Sequence, residues 1–300
     1  MAAAMRAFVI TAPGEAGVQD VASPVAAPGE VIVNVARAGV CGTDMEFFSG
    51  GMQYLHDGFA EYPMRIGHEW AGTVSRVGDG VDRRWLGRRV TGDTMLGCGV
   101  CRRCRFGYQW VCEFRTEVGI RGGRPGALAE QIAMPETALR ELPDLVDDEL
   151  GALVEPGGNA LRSVQGAELQ VGDRALVLGP GTIGLLVAMF ARAAGAEVHL
   201  VGRSPRSLEF ARTLGFDGVW TEADLPELVI ERQRIIERQR ILRLRHRVEA
   251  VVRTEADRRR LRRIAGIADH DRCQLVEFRV GIGKGAAEGQ PLDGDQRDFR

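Results

Sequence analysis

Lysine is nearly missing from this chain of 300 residues: Lys284 is the only one, although lysine and arginine together number 39. Aromatic residues are scarce at 6%, and the formal net charge is only −2. Such a balance gives no electrostatic reason to expect nucleic acid or an anionic membrane as a partner. No apolar run approaches the ~18 residues of a bilayer-spanning helix. The first ten residues also lack the charged start, apolar middle and cleavage site of a signal peptide. A cytoplasmic chain is expected, and there clustered cysteines bind metal more often than they pair as disulfides. The length predicts two domains, and 45% hydrophobic residues suffice for a core in each.

Cysteine itself is not lacking. Four of the six cysteines, Cys98, Cys101, Cys104 and Cys112, fall within fifteen residues, with two, two and seven residues between them. Thiolates so close in sequence can meet at one tetrahedral point, and zinc is the usual ion for an all-sulfur site. Buried or disulfide-bonded cysteines are the alternative. Four protein ligands leave no position for a substrate, so a metal here is structural and the chemistry lies elsewhere.

The patterning changes twice along the chain. From Met5 to about Leu145, short runs such as Ala7-Phe8-Val9-Ile10, Val31-Ile32-Val33-Asn34-Val35 and Gly72-Thr73-Val74-Ser75-Arg76-Val77 are parted by Pro28-Gly29 and Gly78-Asp79-Gly80. These predict a β-barrel-like domain. After Asp173 come an apolar strand, Ala175–Leu178, a glycine turn, and a helical stretch from Leu185 to Ala194. A second strand, Glu197–Val201, and a second helix, Ser207–Leu214, complete a βαβα run that opens a doubly wound sheet. Beyond about Leu225 the pattern is lost: no third strand is read after Val219, and Ile230-Glu231-Arg232-Gln233-Arg234-Ile235 is followed at once by a copy of itself. Residues 226–300 carry 18 basic and 13 acidic residues, a net of +5, against −7 for the first 225. Helical spacing of Ile241, Leu244, Val248 and Val251 predicts one or two amphipathic helices over 227–264, with a solvated charged face rather than a nucleic-acid grip. Past Gly281 the composition is that of disordered chain. The expected division is therefore 1–155, with a cysteine lobe at about 95–115; 156–225; and an Arg-rich tail, 226–300.

Outside the lobe, Cys41 sits in Cys-Gly-Thr-Asp, His68 in Gly-His-Glu 27 residues later, and Glu155 in Val-Glu-Pro at the domain junction. Thiolate, imidazole and carboxylate suit a zinc ion that keeps one open position. Singly, Cys41 or His68 could be a core residue and Glu155 a surface charge, and Glu69 could be a neighbouring partner or an alternate ligand. The turn Gly179-Pro180-Gly181-Thr182-Ile183-Gly184 follows a strand and opens a helix, as a pyrophosphate cradle requires. Gly179 permits the tight turn, Gly181 admits the phosphates and Gly184 lets helix and strand pack. The helix amides at Thr182 and Ile183 then face the anion. Where NAD enzymes usually place an acid, this chain has Val201-Gly202-Arg203-Ser204-Pro205-Arg206. Arg203, Ser204 and Arg206 favour the 2′-phosphate of NADP over NAD.

These motifs, in this order and at these separations, resemble the zinc-dependent medium-chain alcohol dehydrogenases over about residues 5–225. Glu rather than Cys at position 155 is similar to the polyol (sorbitol), sugar and threonine members. Cys41 to Glu46 and Val118-Gly119-Ile120-Arg121-Gly122 look most like glucose 1-dehydrogenases. The resemblance implies a chaperonin-10-like barrel followed by an incomplete Rossmann domain, and two zinc ions per chain. One would be held by Cys41, His68 and Glu155 with Glu69 adjacent, the other by the four lobe cysteines. It implies that Thr43 accepts the proton of a sugar or polyol hydroxyl and passes it toward solvent while hydride passes to NAD(P), and that a homo-oligomer is expected of the family. Glu113, next to the last cysteine, is a candidate to reach a sugar hydroxyl. Many members keep a histidine relay where this chain has Glu46. The family's later segments are not found in 226–300, which suggests a shifted reading frame or a fused end. An inactive, zinc-binding remnant is the alternative function.

Overall fold

The computed structural model describes residues 4–224 and the backbone of a strand at 275–277. The amphipathic helices expected over 227–264 and the disorder expected past Gly281 lie outside the described residues.

The first part is built from β1 (Ala4–Ala12), β2 (Glu15–Ala22), β3 (Glu30–Ala38), β4 (Met64–Arg65), β5 (Trp70–Val77), β6 (Arg89–Gly92), β7 (Met95–Leu96), β8 (Thr116–Glu117), β9 (Gln131–Pro135) and β10 (Leu139–Glu141). They form antiparallel sheets in the orders β2-β1-β4, β10-β6-β5-β3-β9 and β7-β8. The two larger sheets join where the Phe8 amide donates to the Leu128 carbonyl at 2.7 Å and Ala7 bridges Ala129, so the surface closes towards a barrel. Val31, Val33, Trp70, Val74, Val90, Ile132 and Met134 fill the interior. Gly92 is required there, since a Cβ would stand 2.9 Å from the Trp70 ring. The β3–β5 pair has two register shifts, and the second, between Val35 and Arg37, bends β3 at the end that leads to Cys41. Two short helices, α1 (Gly42–Ser49) and α2 (Gln53–His56), follow that end, and α3 (Arg102–Arg105) lies in the cysteine lobe.

From the barrel, α4 (Asp148–Ala152) runs into α5 (Val154–Ala167), and Arg89 ties α4 down by donating to Asp148 at 2.9 Å. A parallel sheet follows: β11 (Arg174–Leu178), α6 (Thr182–Ala193), β12 (Glu197–Gly202), α7 (Pro205–Thr213) and β13 (Gly218–Thr221). Apolar residues on one sheet face, Ala175, Val177, Val198 and Leu200, meet Leu185, Ala188 and Ala191 of α6 and Ala160 and Val164 of α5. The three- and four-residue spacings of those helix positions are why α5 and α6 fold as they do.

The sheet corrects one expectation. A third strand does form, at Gly218–Thr221, and a fourth, β14 (Leu275–Glu277), flanks β11 from within the tail, giving the order β13-β12-β11-β14. Both are too short to leave a readable pattern, and β13 has Val219 as its one aliphatic residue. Among the described residues no helix is long and apolar enough to cross a membrane.

A partly buried polar chain crosses the three strands. The Trp220 indole, a donor only, gives its proton to His199 Nδ1 at 3.1 Å, so Nε2 carries the ring proton and donates to Glu197 at 2.9 Å. Arg174, 2.7 Å from Glu197, and His199 hold the Glu197 carboxyl down to about 2, against 4.5 for an ordinary glutamate. A depressed folded-state value stabilises fully above the ordinary one and loses that stabilisation as pH falls towards the lower. Glu197 is 39% exposed, so the effect is modest. The stability gap between wild type and Glu197→Gln should therefore shrink between pH 4.5 and 2 in urea titrations; a gap that widens there would contradict this account.

Candidate metal centres and nucleotide turn

Cys41 lies three residues past the end of β3 and caps α1 from its N-terminal side, while Asp44, three residues on, reaches back in a capping box. Asp44 Oδ2 accepts from the Cys41 amide at 2.8 Å, and Oδ1 accepts from the Gly67 amide at 3.2 Å. One carboxylate, 1% exposed, thus draws together two loops distant in sequence. Ligand atoms of Cys41, His68 and Glu69 consequently lie within 4.8 Å of one another. Gly39 makes room for the third, because a Cβ there would stand 2.2 Å from Glu69 Oε2. Thr43 Oγ1 is 3.9 Å from the Cys41 sulfur. Glu155, half-buried in the first turn of α5, interacts with the Thr94 hydroxyl and with the charges of His68, Glu69 and Asp44, but stands outside the three-residue group.

The electrostatics suit a cation. Burial by itself would lower the pKa of His68, yet Asp44, Cys41 and Glu155 hold it up to about 10. Burial pushes both Glu69 and Glu155 above the usual carboxylate range; the Asp44 charge adds to each and His68 opposes it. His68 Nδ1 is buried without a hydrogen bond, 3.6 Å from Asp44 Oδ1. A thiol, an imidazole and an excess of buried acids are zinc donors, and three of them leave a position for substrate.

The second cluster is sulfur only. Cys98 and Cys104 sulfurs are 3.9 Å apart and those of Cys101 and Cys112 3.8 Å, with all four within 4.8 Å of one another. A disulfide needs ~2.05 Å, whereas a tetrahedron with Zn–S of ~2.3 Å has edges of about 3.8 Å. Backbone amides of Val100 and Cys101 pull the Cys98 thiol down to about 6, while burial and the neighbouring sulfurs push Cys104 up to about 12. Gly97 lets the cluster close, since a Cβ would stand 2.6 Å from the Cys104 sulfur. The residues fit a structural zinc.

At the end of β11, Gly179 has φ 97°, a conformation that suits glycine. A Cβ on Gly184 would lie 1.9 Å from the Gly179 carbonyl, so helix and turn touch backbone to backbone. Gly181 caps α6 with nothing within 4 Å of its would-be Cβ, which leaves open space before the amides of Thr182 and Ile183. Arg203, Ser204 and Arg206 are exposed at the end of β12, and Ser204 Oγ accepts from the Ser207 amide at 3.4 Å to cap α7. The structure does not bring Glu113 to the Cys41 group: it lies exposed on the lobe, paired with Arg103 at 2.8 Å. Asp44, Thr94 and Gly39 are the neighbours that motif reading passed over. Only Asp44 had a signal, its place three residues after a helix cap.

A barrel carrying two metal-donor clusters, joined to a parallel sheet with a phosphate turn, defines a class of dehydrogenase. Residues 27–144 match the Alcohol dehydrogenase GroES-like domain. An L-threonine 3-dehydrogenase of Rhizobium etli (strain CIAT 652) is 35% identical over 206 residues, 67% of this chain and 57% of that protein. The crystal structure of 2R,3R-butanediol dehydrogenase from Bacillus subtilis is 30% identical, with a TM-score of 0.65 over 76% of this chain and 67% of that one. A zinc-binding dehydrogenase from Sinorhizobium meliloti 1021, solved with NADP bound, is 30% identical with a TM-score of 0.67, over 76% of this chain and 64% of that one. The chain belongs to the zinc-dependent medium-chain alcohol dehydrogenase family. It spans 57% of the length of the threonine dehydrogenase it matches.

The turn geometry separates two glycine substitutions. Gly184→Ala should cost about 3 kcal/mol, since neither backbone can give way. Gly181→Ala should leave the urea midpoint unchanged and weaken nucleotide binding measured by calorimetry. Equal destabilisation by both would refute this division of roles.

Proposed function

We propose that this chain is a zinc-dependent oxidoreductase acting on the CH–OH group of a polar secondary alcohol, a sugar, polyol or hydroxy amino acid, with NAD(P) as hydride acceptor. The observation that carries the proposal is the convergence of Cys41, His68 and Glu69 within 4.8 Å, with Glu155 alongside. The hydroxy amino acid enters because of the threonine dehydrogenase relative.

Cys41 and His68 would hold the metal, with Glu69 or Glu155 as third protein ligand. When bound, zinc supplies Lewis acidity to the substrate oxygen and the nicotinamide takes the hydride. The chain's own residues do the rest. Thr43 Oγ1, beside the Cys41 sulfur, would accept the substrate hydroxyl proton while releasing its own toward solvent. Asp44 keeps the two ligand loops in register. The amides opening α6 hold the pyrophosphate and, with Arg203 and Arg206, orient the dinucleotide. Arg203, Ser204 and Arg206 favour NADP, because no acid at this strand end repels a 2′-phosphate. The lobe cysteines hold a second, structural zinc. On this reading the catalytic unit is 1–155 and the nucleotide unit begins at 156.

Metal analysis of the full chain together with NADP+ and NAD+ reduction over sugars, polyols and L-threonine tests the proposal. Two zincs per chain and turnover with NADP+ are expected. His68→Ala should lose one zinc and all turnover, and Arg203→Ala should weaken NADP about tenfold with NAD unchanged. Two zincs without turnover on any alcohol would mark a metal-binding remnant instead.

A further inference from the structure

Three carboxylates stand near the Cys41 sulfur and the His68 ring, and each is held differently. Asp44 is engaged by two backbone amides. Glu69 is buried against Gly39 and hydrogen-bonds the Cys41 side chain, so its carboxylate is already among the donors that meet within 4.8 Å. Glu155 is outside that group, although it lies close enough to feel the charges of His68, Glu69 and Asp44. Its backbone is fixed in the first turn of α5, because Arg89 ties the preceding helix to the barrel at Asp148. Only the Glu155 side chain can carry its carboxylate towards the group or away from it.

Thr94 stands where it can decide between the two. It lies in the link between β6 and β7, 8% exposed, and its backbone is pinned. Its carbonyl accepts from the Val118 amide at 3.0 Å, and the amide of Asp93 beside it donates to the Ala138 carbonyl at 2.8 Å. The Thr94 hydroxyl has a single proton and two acceptors in reach: the His68 carbonyl at 3.3 Å and the Glu155 carboxylate, whose charge it stabilises. A charged acceptor takes such a proton in preference to a neutral one. The donor count gives this choice its consequence. Cys41, His68 and one carboxylate leave a zinc ion a position for substrate, whereas Cys41, His68 and both glutamates would fill the tetrahedron.

We infer that Thr94 is a positioning residue: its hydroxyl holds the Glu155 carboxylate back from the Cys41 group, so that Glu69 is the third protein ligand and the remaining position stays open. Thr94 acts here through Glu155 and touches no reacting atom. The inference rests on the zinc reading above and gives the two glutamates different tasks within it.

The full chain with cobalt(II) at the Cys41 group and zinc in the lobe tests it, with imidazole as the probe of the open position and the visible absorption of cobalt as the readout. Wild type and Thr94→Ser should bind imidazole alike, since both keep the hydroxyl. Thr94→Val should bind it about tenfold more weakly, the equivalent of one lost charge-assisted hydrogen bond, because the freed Glu155 competes for the position. Adding Glu155→Gln to Thr94→Val should restore the wild-type affinity. In the wild-type background, Glu69→Gln should lower cobalt affinity about tenfold or more while Glu155→Gln leaves it unchanged, a comparison that does not need Thr94→Val to fold. Imidazole affinity indifferent to Thr94→Val would overturn the inference alone. So would a double variant that stays weak, or cobalt affinity that falls with Glu155→Gln and not with Glu69→Gln. A chain that takes up no cobalt at the Cys41 group would overturn the zinc reading and this inference with it.

Discussion

The geometry of the reactive centre hangs on a carboxylate that does not belong to the donor group itself. Asp44 accepts from the amides of Cys41 and Gly67, and so converts a helix cap into a clamp between two loops. Hydrogen bonds from backbone to a buried charge contribute about 1.5–3 kcal/mol each, so the two together offset the entropy of ordering a few loop residues at about 1–2 kcal/mol apiece. The rest follows from that clamp. With the loops together, His68 and Glu69 stand beside Cys41, and Gly39 gives the carboxylate its space. The Thr94 hydroxyl, 3.3 Å from the His68 carbonyl and in contact with Glu155, links this group to the first turn of α5.

Both donor clusters gather more potential negative charge than a folded protein tolerates without compensation. Around His68 are a thiol and three carboxylates, and the imidazole responds by holding its proton to about 10. In the lobe, four sulfurs divide the strain unequally, with Cys98 at about 6 and Cys104 at about 12. A divalent cation held by Cys41, His68 and Glu69, or by the four lobe cysteines, would supply the positive charge that each group of donors calls for. The lobe's helical structure is limited to α3, four residues long, and a three-residue turn at Gln109–Val111, and its large apolar side chains face outwards. Such a segment has no core of its own, so metal ligation is what can define its shape.

What could be read from the sequence was whatever is local. The cysteine spacing, the strand-turn-helix around Gly179–Gly184 and the short apolar or alternating runs in β1, β3 and β5 are short-range patterns, and the structure has an element on each of them. The family resemblance rested on the same short motifs. Contacts between distant segments were not legible. Nothing beside Cys112 in sequence says that Glu113 turns outwards to Arg103. Thr94 carries no motif, and its part emerges only once the His68 loop and α5 are folded against it. Val219 looked like the end of a pattern because its strand is four residues long and bounded by Gly218 and polar turns.

The fourth strand bears most directly on whether the nucleotide unit can work as a cleft. In an open parallel sheet, a ligand binds where successive connections leave in opposite directions from a central strand. Strands β11, β12 and β13 alone run to one side and leave no such point. With β14 on the far side of β11, paired through Leu176–Leu275 and Val177–Val276, the order reverses at β11. That is the strand whose end carries the glycine turn, so the reversal and the α6 amides coincide. The residues 222–274 that separate β13 from β14 exceed the dozen or more that a parallel crossover requires. The strand Leu275–Glu277 therefore sets a reversal of strand order at β11, whose end carries the glycine turn.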